Sequence, residues 1–142
     1  MDKCESKYCG CLYNSANVLA RNMTRMADEA FAKLGLTSSY AFLIMTANDK
    51  PGIQPKEICQ HLQLTPSTVT RLIEKMEYKG LLERKKVGRS TEVYPTKESI
   101  KLQPKIKAAW KCLSNRYTKI LGKQDSEVLV TAIHAANKKL AL

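Results

Sequence analysis

The sequence lacks the motifs on which most enzyme chemistry depends. It has no glycine-rich phosphate loop, no HExxH pair and no nucleophile elbow, and it contains only six glycines and two histidines. No apolar run approaches the roughly 20 residues that span a bilayer, and the opening stretch MDKCESKYCGC has no signal-peptide core. We therefore expect a cytoplasmic protein that is not an enzyme, holds no cofactor and does not contact a membrane.

The cysteines do not have the number or spacing of a metal site or a disulfide framework. There are five, an odd number, and Cys4, Cys9 and Cys11 form C-x₄-C-x-C, which is not a zinc spacing. We expect no metal and mostly reduced thiols, with Cys59 and Cys112 packed on apolar helix faces. Two interpretations of the N-terminal three stay open: free thiols on a mobile end, or a switch that responds to oxidants.

Acidic residues are scarce relative to basic ones. Lysine and arginine number 24 against 13 aspartates and glutamates, which gives a formal charge of +11 over 142 residues. A small domain with this excess attracts polyanions, so nucleic acid is the first partner to consider. The hydrophobic content of 44% is sufficient for one packed domain, which we place at residues 1–142.

Helical patterns dominate both ends of the chain. From Leu12 to Ala30, apolar residues recur every three or four positions, and Gly35 is placed to end that helix. A second helix, capped by Ser38 or Ser39, covers the apolar segment YAFLIMTAN. After the central region, one helix extends from Thr96 to about Leu121, with Pro104 expected to kink it or delay its regular part, and a last helix is capped by Asp125 or Ser126.

The central region has the pattern of a helix-turn-helix followed by a hairpin. A short helix begins at Pro55, and Thr65 caps a further helix that begins at Pro66 and ends near Gly80. LLERKKV and TEVYPT are predicted strands, with residues 88–90 at the tip between them. Hydroxyl side chains at a helix start, followed by an arginine, suit the major groove of DNA, and a basic hairpin suits the phosphates.

These residues carry a resemblance to a known family. The segment from Leu64 to Lys86, LTPSTVTRLIEKMEYKGLLERKK, resembles the recognition helix and first wing strand of the MarR family of bacterial transcription regulators, through STVTR, LI and KGLLER. The resemblance implies a mainly α fold with a small β-hairpin wing. It assigns residues 37–97 to a winged helix-turn-helix and residues 8–35 and 98–142 to long flanking dimerisation helices. This hairpin is shorter than the family's and lacks the aspartate-arginine pair at its tip, so Arg89 alone is left to reach the DNA.

The expected function follows from that resemblance. We expect a homodimeric regulator, a repressor by resemblance, that binds a pseudo-palindromic operator in double-stranded DNA and is released by a small effector, for which an aromatic compound is the candidate. The predicted DNA contacts are Lys56, Ser67, Thr68, Thr70, Arg71, Lys75, Arg84, Lys86 and Arg89. The cleft between dimerisation helices and winged helix would hold the effector, with Tyr40, Met45 and Trp110 as candidates. Three alternatives stay open: a weakly specific architectural DNA-binding protein, an oxidant-sensing regulator acting through Cys4, Cys9 and Cys11, and a protein-interaction module.

Overall fold

Six helices and one hairpin make up the structure, a computed structural model that describes residues 4–141. Helix α1 spans Leu12–Phe31 and continues into a 3₁₀ turn at Ala32–Leu34. The others are α2 (Ser38–Asp49), α3 (Pro55–Leu62), α4 (Pro66–Tyr78), strands β1 (Leu82–Val87) and β2 (Ser90–Pro95), α5 (Lys97–Leu121) and α6 (Lys123–Leu140). The predicted fold class, a mainly α winged helix with a small hairpin, is confirmed. The ends of the predicted domain, residues 1–3 and 142, lie outside the described part of the chain.

Helix α2 is the centre of the core, as its apolar sequence predicts. Ala41, Leu43, Ile44, Met45 and Ala47 are all buried along its length. They join one cluster with side chains from α1, α3, α4, both strands and α5, which includes Phe31, Ile58, Ile73, Met76, Leu82, Val93 and Ile106. Because α2 and the recognition helix α4 share this cluster, the winged helix is one packed unit.

Helix boundaries differ from the sequence-based expectation at three points. Helix α1 begins at Leu12 rather than near residue 8, since residues 5–10 form bends and turns. The N-cap of α2 is Thr37 rather than a serine, and the Asp28 carboxylate of α1 accepts a hydrogen bond from the Ser38 N–H at 3.1 Å. Helix α6 is capped by Gly122 rather than Asp125 or Ser126. Such positions depend on which neighbouring group reaches the free N–H groups, which local propensity does not specify.

The hairpin closes with a two-residue turn rather than the three-residue tip expected. Val87 pairs with Ser90, so Ser90 is in β2 and only Gly88 and Arg89 form the loop. Gly88 has φ +63°, the conformation that glycine adopts cheaply at the first position of such turns. On its other edge, β2 forms an antiparallel bridge with Ile53, where the Val93 N–H donates to the Ile53 carbonyl at 2.9 Å. The two-stranded wing is therefore tied to the segment before α3.

Helix α5 leaves the wing at a fixed joint. The Thr96 hydroxyl accepts from the Ser99 N–H at 3.3 Å and donates to the Gly80 carbonyl at 2.7 Å, so one side chain caps α5 and holds the end of α4. The helix then runs unbroken through Pro104, and the expected delay does not occur. A proline removes only one intrahelical hydrogen bond, and the first turns here are anchored on both sides.

Over residues 4–141, no single helix combines the length and apolar character needed to cross a bilayer, although Leu12–Leu34 with Ser38–Asp49, bent by 64°, does so as a pair.

The double role of Thr96 leads to a stability prediction. We expect Thr96→Ala to lower the free energy of unfolding by about 1–2 kcal/mol, because it removes a helix cap and leaves the Gly80 carbonyl without this donor. The measurement is urea unfolding at one fixed protein concentration. Thr24→Ala, an exposed threonine inside α1, is the matched control and should change stability by less than about 0.5 kcal/mol. Equal effects of the two substitutions would contradict the joint assigned to Thr96.

Candidate nucleic-acid interface

The start of α4 carries a compact cluster of hydroxyl groups. The Thr65 hydroxyl caps the helix by accepting from the Thr68 N–H at 3.4 Å, and it lies 2.9 Å from the Thr68 hydroxyl and 3.3 Å from that of Ser67. Ser67 and Thr70 are exposed, whereas Thr68 is half-buried. Of the three predicted contacts at this helix start, Thr68 is thus the one most engaged in the cap itself.

The exposed face of α4 lies opposite its buried one. Val69, Ile73 and Met76 are buried, and Arg71 and Lys75 are exposed on the other side. At about 100° per residue, Ser67, Arg71 and Tyr78 fall within roughly 40° of one another. Tyr78 is 92% exposed, an aromatic residue on the face that carries Arg71 and one that we did not assign to the DNA surface. The sequence indicates this position, because Tyr78 follows Arg71 by about two helical turns and so lies on the same face of α4.

Tyr40 of α2, a candidate for the effector pocket, lies beside Lys75 of α4. The Lys75 ammonium lies 5.9 Å from the centroid of the Tyr40 ring, an arrangement suited to a weak cation–π interaction. Tyr40 is two residues, or about 200°, from Phe42 around α2, so it faces α4 while Phe42 faces α5. Tyr40 is not among the residues that line the cavity at Trp110, and its assignment to the effector pocket stays a prediction.

The two faces of the wing differ in what their basic residues contact. Arg84 and Lys86 alternate with Lys85, so they lie on the opposite face of β1 from it. Arg84 pairs with Glu77 of α4, with 2.6 Å between Nε and Oε1, which turns that face toward the recognition helix. On the other face, Lys85 lies 4.8 Å from the Tyr94 ring centroid. The predicted contact Arg84 is thus occupied by an ion pair, whereas Lys86 and Arg89 have none among the described residues.

Of the five glutamates on α3, α4 and the hairpin, three contact a neighbouring side chain, while Glu74 and Glu83 are exposed. The Tyr94 hydroxyl donates to the Glu92 carboxylate at 2.6 Å, and this hydrogen bond raises the pKa of Tyr94. At α3, the Lys50 ammonium lies 2.5 Å from Glu57 and holds the pKa of that carboxyl below its usual value. Lys56, the predicted contact beside Glu57, is exposed.

The outer half of the hairpin, from Lys85 to Ser90, is exposed throughout.

A cavity of about 440 Å³ lies between α2, α3 and α5. It is lined by Phe42, Met45, Thr46, Asp49, His61, Leu62, Lys107 and Trp110. The Trp110 ring is half-exposed and meets Phe42 edge to face at 6.1 Å between centroids. Met45 and Trp110 therefore share one cavity, although it is lined by α3 and not, as we expected, by α1.

The cysteines fall into two groups. Cys4 and Cys9 form a disulfide, and Cys11, directly before α1, is free and exposed. An oxidant response of these three residues stays a prediction. Cys112 was expected to pack but is exposed, in the wall of a second cavity between α1 and α5, because α1 covers only part of that face. Among the described residues, no group of three histidine, cysteine or acidic side chains could hold a metal ion.

Comparisons with known proteins agree with this architecture. Residues 34–90 match the model of the MarR family. A MarR protein from Peptoclostridium difficile superposes with a TM-score of 0.80 at 16% identity, covering 99% of this chain and 94% of the other. The Staphylococcus aureus MepR–DNA complex gives 0.79 at 17% identity over 89% and 96% of the two chains.

CouR from Rhodococcus jostii, bound to p-coumaroyl-CoA, gives a TM-score of 0.73 at 17% identity over 96% of each chain. No curated protein sequence matches the chain. At these identities the superpositions establish the fold, and the matched segment contains α2, α3, α4 and the wing through Ser90. The central segment of the chain therefore matches the MarR family of transcription regulators, and the whole chain has the winged-helix fold of the solved structures.

Proposed function

We propose that this protein is a homodimer that binds two half-sites of an operator in double-stranded DNA, regulates transcription there as a repressor, and is released by a small aromatic acid. The observation that carries the proposal is the exposed face of α4 with Arg71, followed by a wing whose outer half exposes Lys86 and Arg89. Two structures similar to this chain support it: MepR in complex with DNA, and CouR bound to p-coumaroyl-CoA.

Different parts of the surface suit different contacts. Arg71 projects from the second turn of a helix whose start carries Ser67 and Thr70, so it suits base edges in the major groove. Lys86 and Arg89 lie on a hairpin half that is free of protein cover, where phosphates are the natural partners. Glu77 is paired with Arg84, and the outer half of the hairpin, from Lys85 to Ser90, carries three basic residues and no acidic one.

This division of contacts is the direct test of the function. With a duplex selected by the protein from a random pool and a scrambled version of it, Arg71→Ala should cost about 1–3 kcal/mol per half-site on the selected duplex only. Lys86→Ala should weaken both duplexes alike and reduce the slope of log affinity against log salt by about one per phosphate contact. The measurement is fluorescence anisotropy at several salt concentrations.

Lys85→Ala is the matched control, since it removes the same charge from the other face of β1 and should change affinity less than Lys86→Ala. Equal losses for Arg71→Ala on both duplexes would instead support a weakly specific architectural protein. Failure of the wild-type chain to bind any duplex would favour a protein-interaction module.

Helix α6 supplies the argument for a dimer. Ser126 is its only buried residue, yet apolar residues occur on two of its sides. Leu129, Val130 and Ile133 face a groove formed with α1 and α5. Val128, Ala132 and Ala135 recur at four and three residues on another side, and Val128 is 61% exposed. A helix with two apolar sides is stable when both are covered, and a second copy of this chain is the proposed cover.

The dimer proposal predicts a specific effect on assembly. Val128→Lys should shift the protein toward its 16.0 kDa monomer, because a charge would then lie in the apolar contact. Thr131→Lys adds the same charge on the polar side of α6, next to Glu127 and Lys138, and should leave the dimer intact. Sedimentation velocity at micromolar concentration separates the two species. A native protein that sediments as a monomer there would contradict the proposal.

The cavity between α2, α3 and α5 suits an aromatic anion. Phe42, Met45 and Trp110 give it an apolar aromatic wall, while Lys107 and His61 supply groups that can pair with a carboxylate. The only acid in its lining, Asp49, is already hydrogen-bonded to Gln103 at 3.2 Å. A planar ring against Trp110, with its carboxylate toward Lys107, is the binding mode that these residues favour.

Trp110 is the only tryptophan of the chain, which makes this site observable by fluorescence. We expect 4-hydroxycinnamate to change the emission saturably and to lower affinity for the selected duplex. Lys107→Gln should weaken ligand binding several-fold, because the neutral side chain no longer attracts the carboxylate. Lys111→Gln, one turn further along α5 and outside the cavity, is the matched control. The same affinity in both variants would exclude the cavity as the carboxylate site.

A further inference from the structure

A closed network of hydrogen bonds joins the end of α2 to the start of α5. The Asn48 amide nitrogen donates to the Ser99 carbonyl at 3.2 Å and to the Gln103 side-chain oxygen at 2.8 Å. The Ser99 hydroxyl donates back to the Asn48 side-chain oxygen at 3.2 Å, and the Gln103 amide nitrogen donates to Asp49 at 3.2 Å. We call these four residues, Asn48, Asp49, Ser99 and Gln103, the α2–α5 clasp.

The clasp is polar at a place where apolar packing would be expected. Ser99 is fully buried, and Leu102 and Ile106, on the same side of α5, pack in the core. Two apolar helix faces can slide or tilt with little loss, whereas hydrogen bonds weaken steeply as their distance and angle depart from the optimum. Because the Asn48 side chain bonds two successive turns of α5, its contacts restrain the tilt of α5 as well as its position.

The same joint is held from the other side by Thr96. Its contacts with Gly80 and Ser99 connect the first turn of α5 to the end of the recognition helix. Helix α2 is itself packed with α4 in one core. The direction of α5 relative to α4 is therefore set at two points, the cap at Thr96 and the clasp.

A small change in the angle of α5 at this joint produces a large displacement of the far end of the helix. A helix of 25 residues is about 37 Å long, so a tilt of roughly 5° displaces its far end by about 3 Å. One base pair of DNA corresponds to about 3.4 Å along the duplex and about 35° of rotation. A tilt of a few degrees at the clasp thus displaces the far end of α5 by about the rise of one base pair.

We propose that Asn48, Ser99 and Gln103 are positioning residues whose hydrogen bonds fix the angle between the winged helix and α5, and so set the half-site spacing at which the dimer binds. This proposal rests on the proposed function, because it requires two half-sites read by one dimer. None of the three residues contacts DNA in it. Their effect is on where the second recognition helix lies when the first is bound.

The experiment measures affinity against spacing. Duplexes carry the two half-sites of the selected operator at the native separation and with one or two base pairs inserted or removed. The wild-type protein should show a sharp optimum. In the wild-type protein, a change of one base pair in the spacing lowers the affinity for DNA. Asn48→Ala should make this loss of affinity about fivefold smaller, the factor that corresponds to one buried hydrogen bond of typical net strength.

Further variants separate positioning from folding. Gln103→Leu, at a half-buried site, should broaden the profile to a smaller extent, and it carries the test if Asn48→Ala fails to fold by circular dichroism. Asp49→Asn keeps a side-chain oxygen for the Gln103 amide and should retain the sharp profile. Asn115→Ala, an exposed asparagine elsewhere on α5, is the matched control.

The outcomes are distinct. A folded variant whose affinity falls by the same factor at every spacing would overturn the proposal, because the clasp would then contribute stability and not position. A wild-type protein that binds all spacings equally would contradict the paired half-site function, and the clasp proposal with it. A wild-type optimum that is unchanged in both Asn48→Ala and Gln103→Leu would overturn the clasp proposal alone.

Discussion

Burial of α2 is the constraint on which the rest of the structure depends. Leu43, Ile44 and Ala47 have no exposed surface, and they belong to one core cluster with side chains from α1, α3, α4, both strands and α5. An apolar helix of this kind is stable only when its neighbours enclose it, so α3, α4 and the strands are held around it as one unit. The polar residues of α2 are confined to its ends, and there they connect to other elements: Ser38 to Asp28 of α1, and Asn48 to α5.

Polar contacts of the wing separate its base from its tip. At the base, the ion pair between Arg84 and Glu77 holds β1 against α4. On the other face, Tyr94 donates a hydrogen bond to Glu92 of the same strand, and Lys85 lies 4.8 Å from the Tyr94 ring centroid. Lys86 and Arg89 form no ion pair among the described residues, so their charges are available to attract a polyanion.

The helices at the two ends of the chain bury fewer of their apolar side chains than α2 does. Almost every apolar residue of α2 is enclosed, while α6 has a single buried residue and α1 has two, Ala27 and Phe31 near its C-terminal end. Helix α5 has both kinds of apolar residue, since Ile106 is buried in the core and Ile120, near the end of the helix, is exposed. The α2–α5 clasp lies at the start of the enclosed part of α5, and Asp49 of the clasp also lines the cavity beside Trp110. The clasp, the cavity beside Trp110 and the less enclosed end at Ile120 thus lie along one helix.

Local signals determined the elements themselves. Thr65 followed by Pro66 specified the start of α4, and Gly88 specified the position of the turn. The spacing of Val69, Ile73 and Met76 by four and three residues specified which face of α4 is buried. Each of these signals depends on a few neighbouring residues. Partner choice between distant residues was decided only by the tertiary structure. Nothing near Arg84 in sequence marks it as paired with Glu77, nor Tyr40 as lying beneath Lys75, and the Asn48–Ser99 contact joins residues 51 positions apart. The reason is physical: a side chain's periodicity fixes the direction in which it points, but what it meets there depends on how the helices pack around α2.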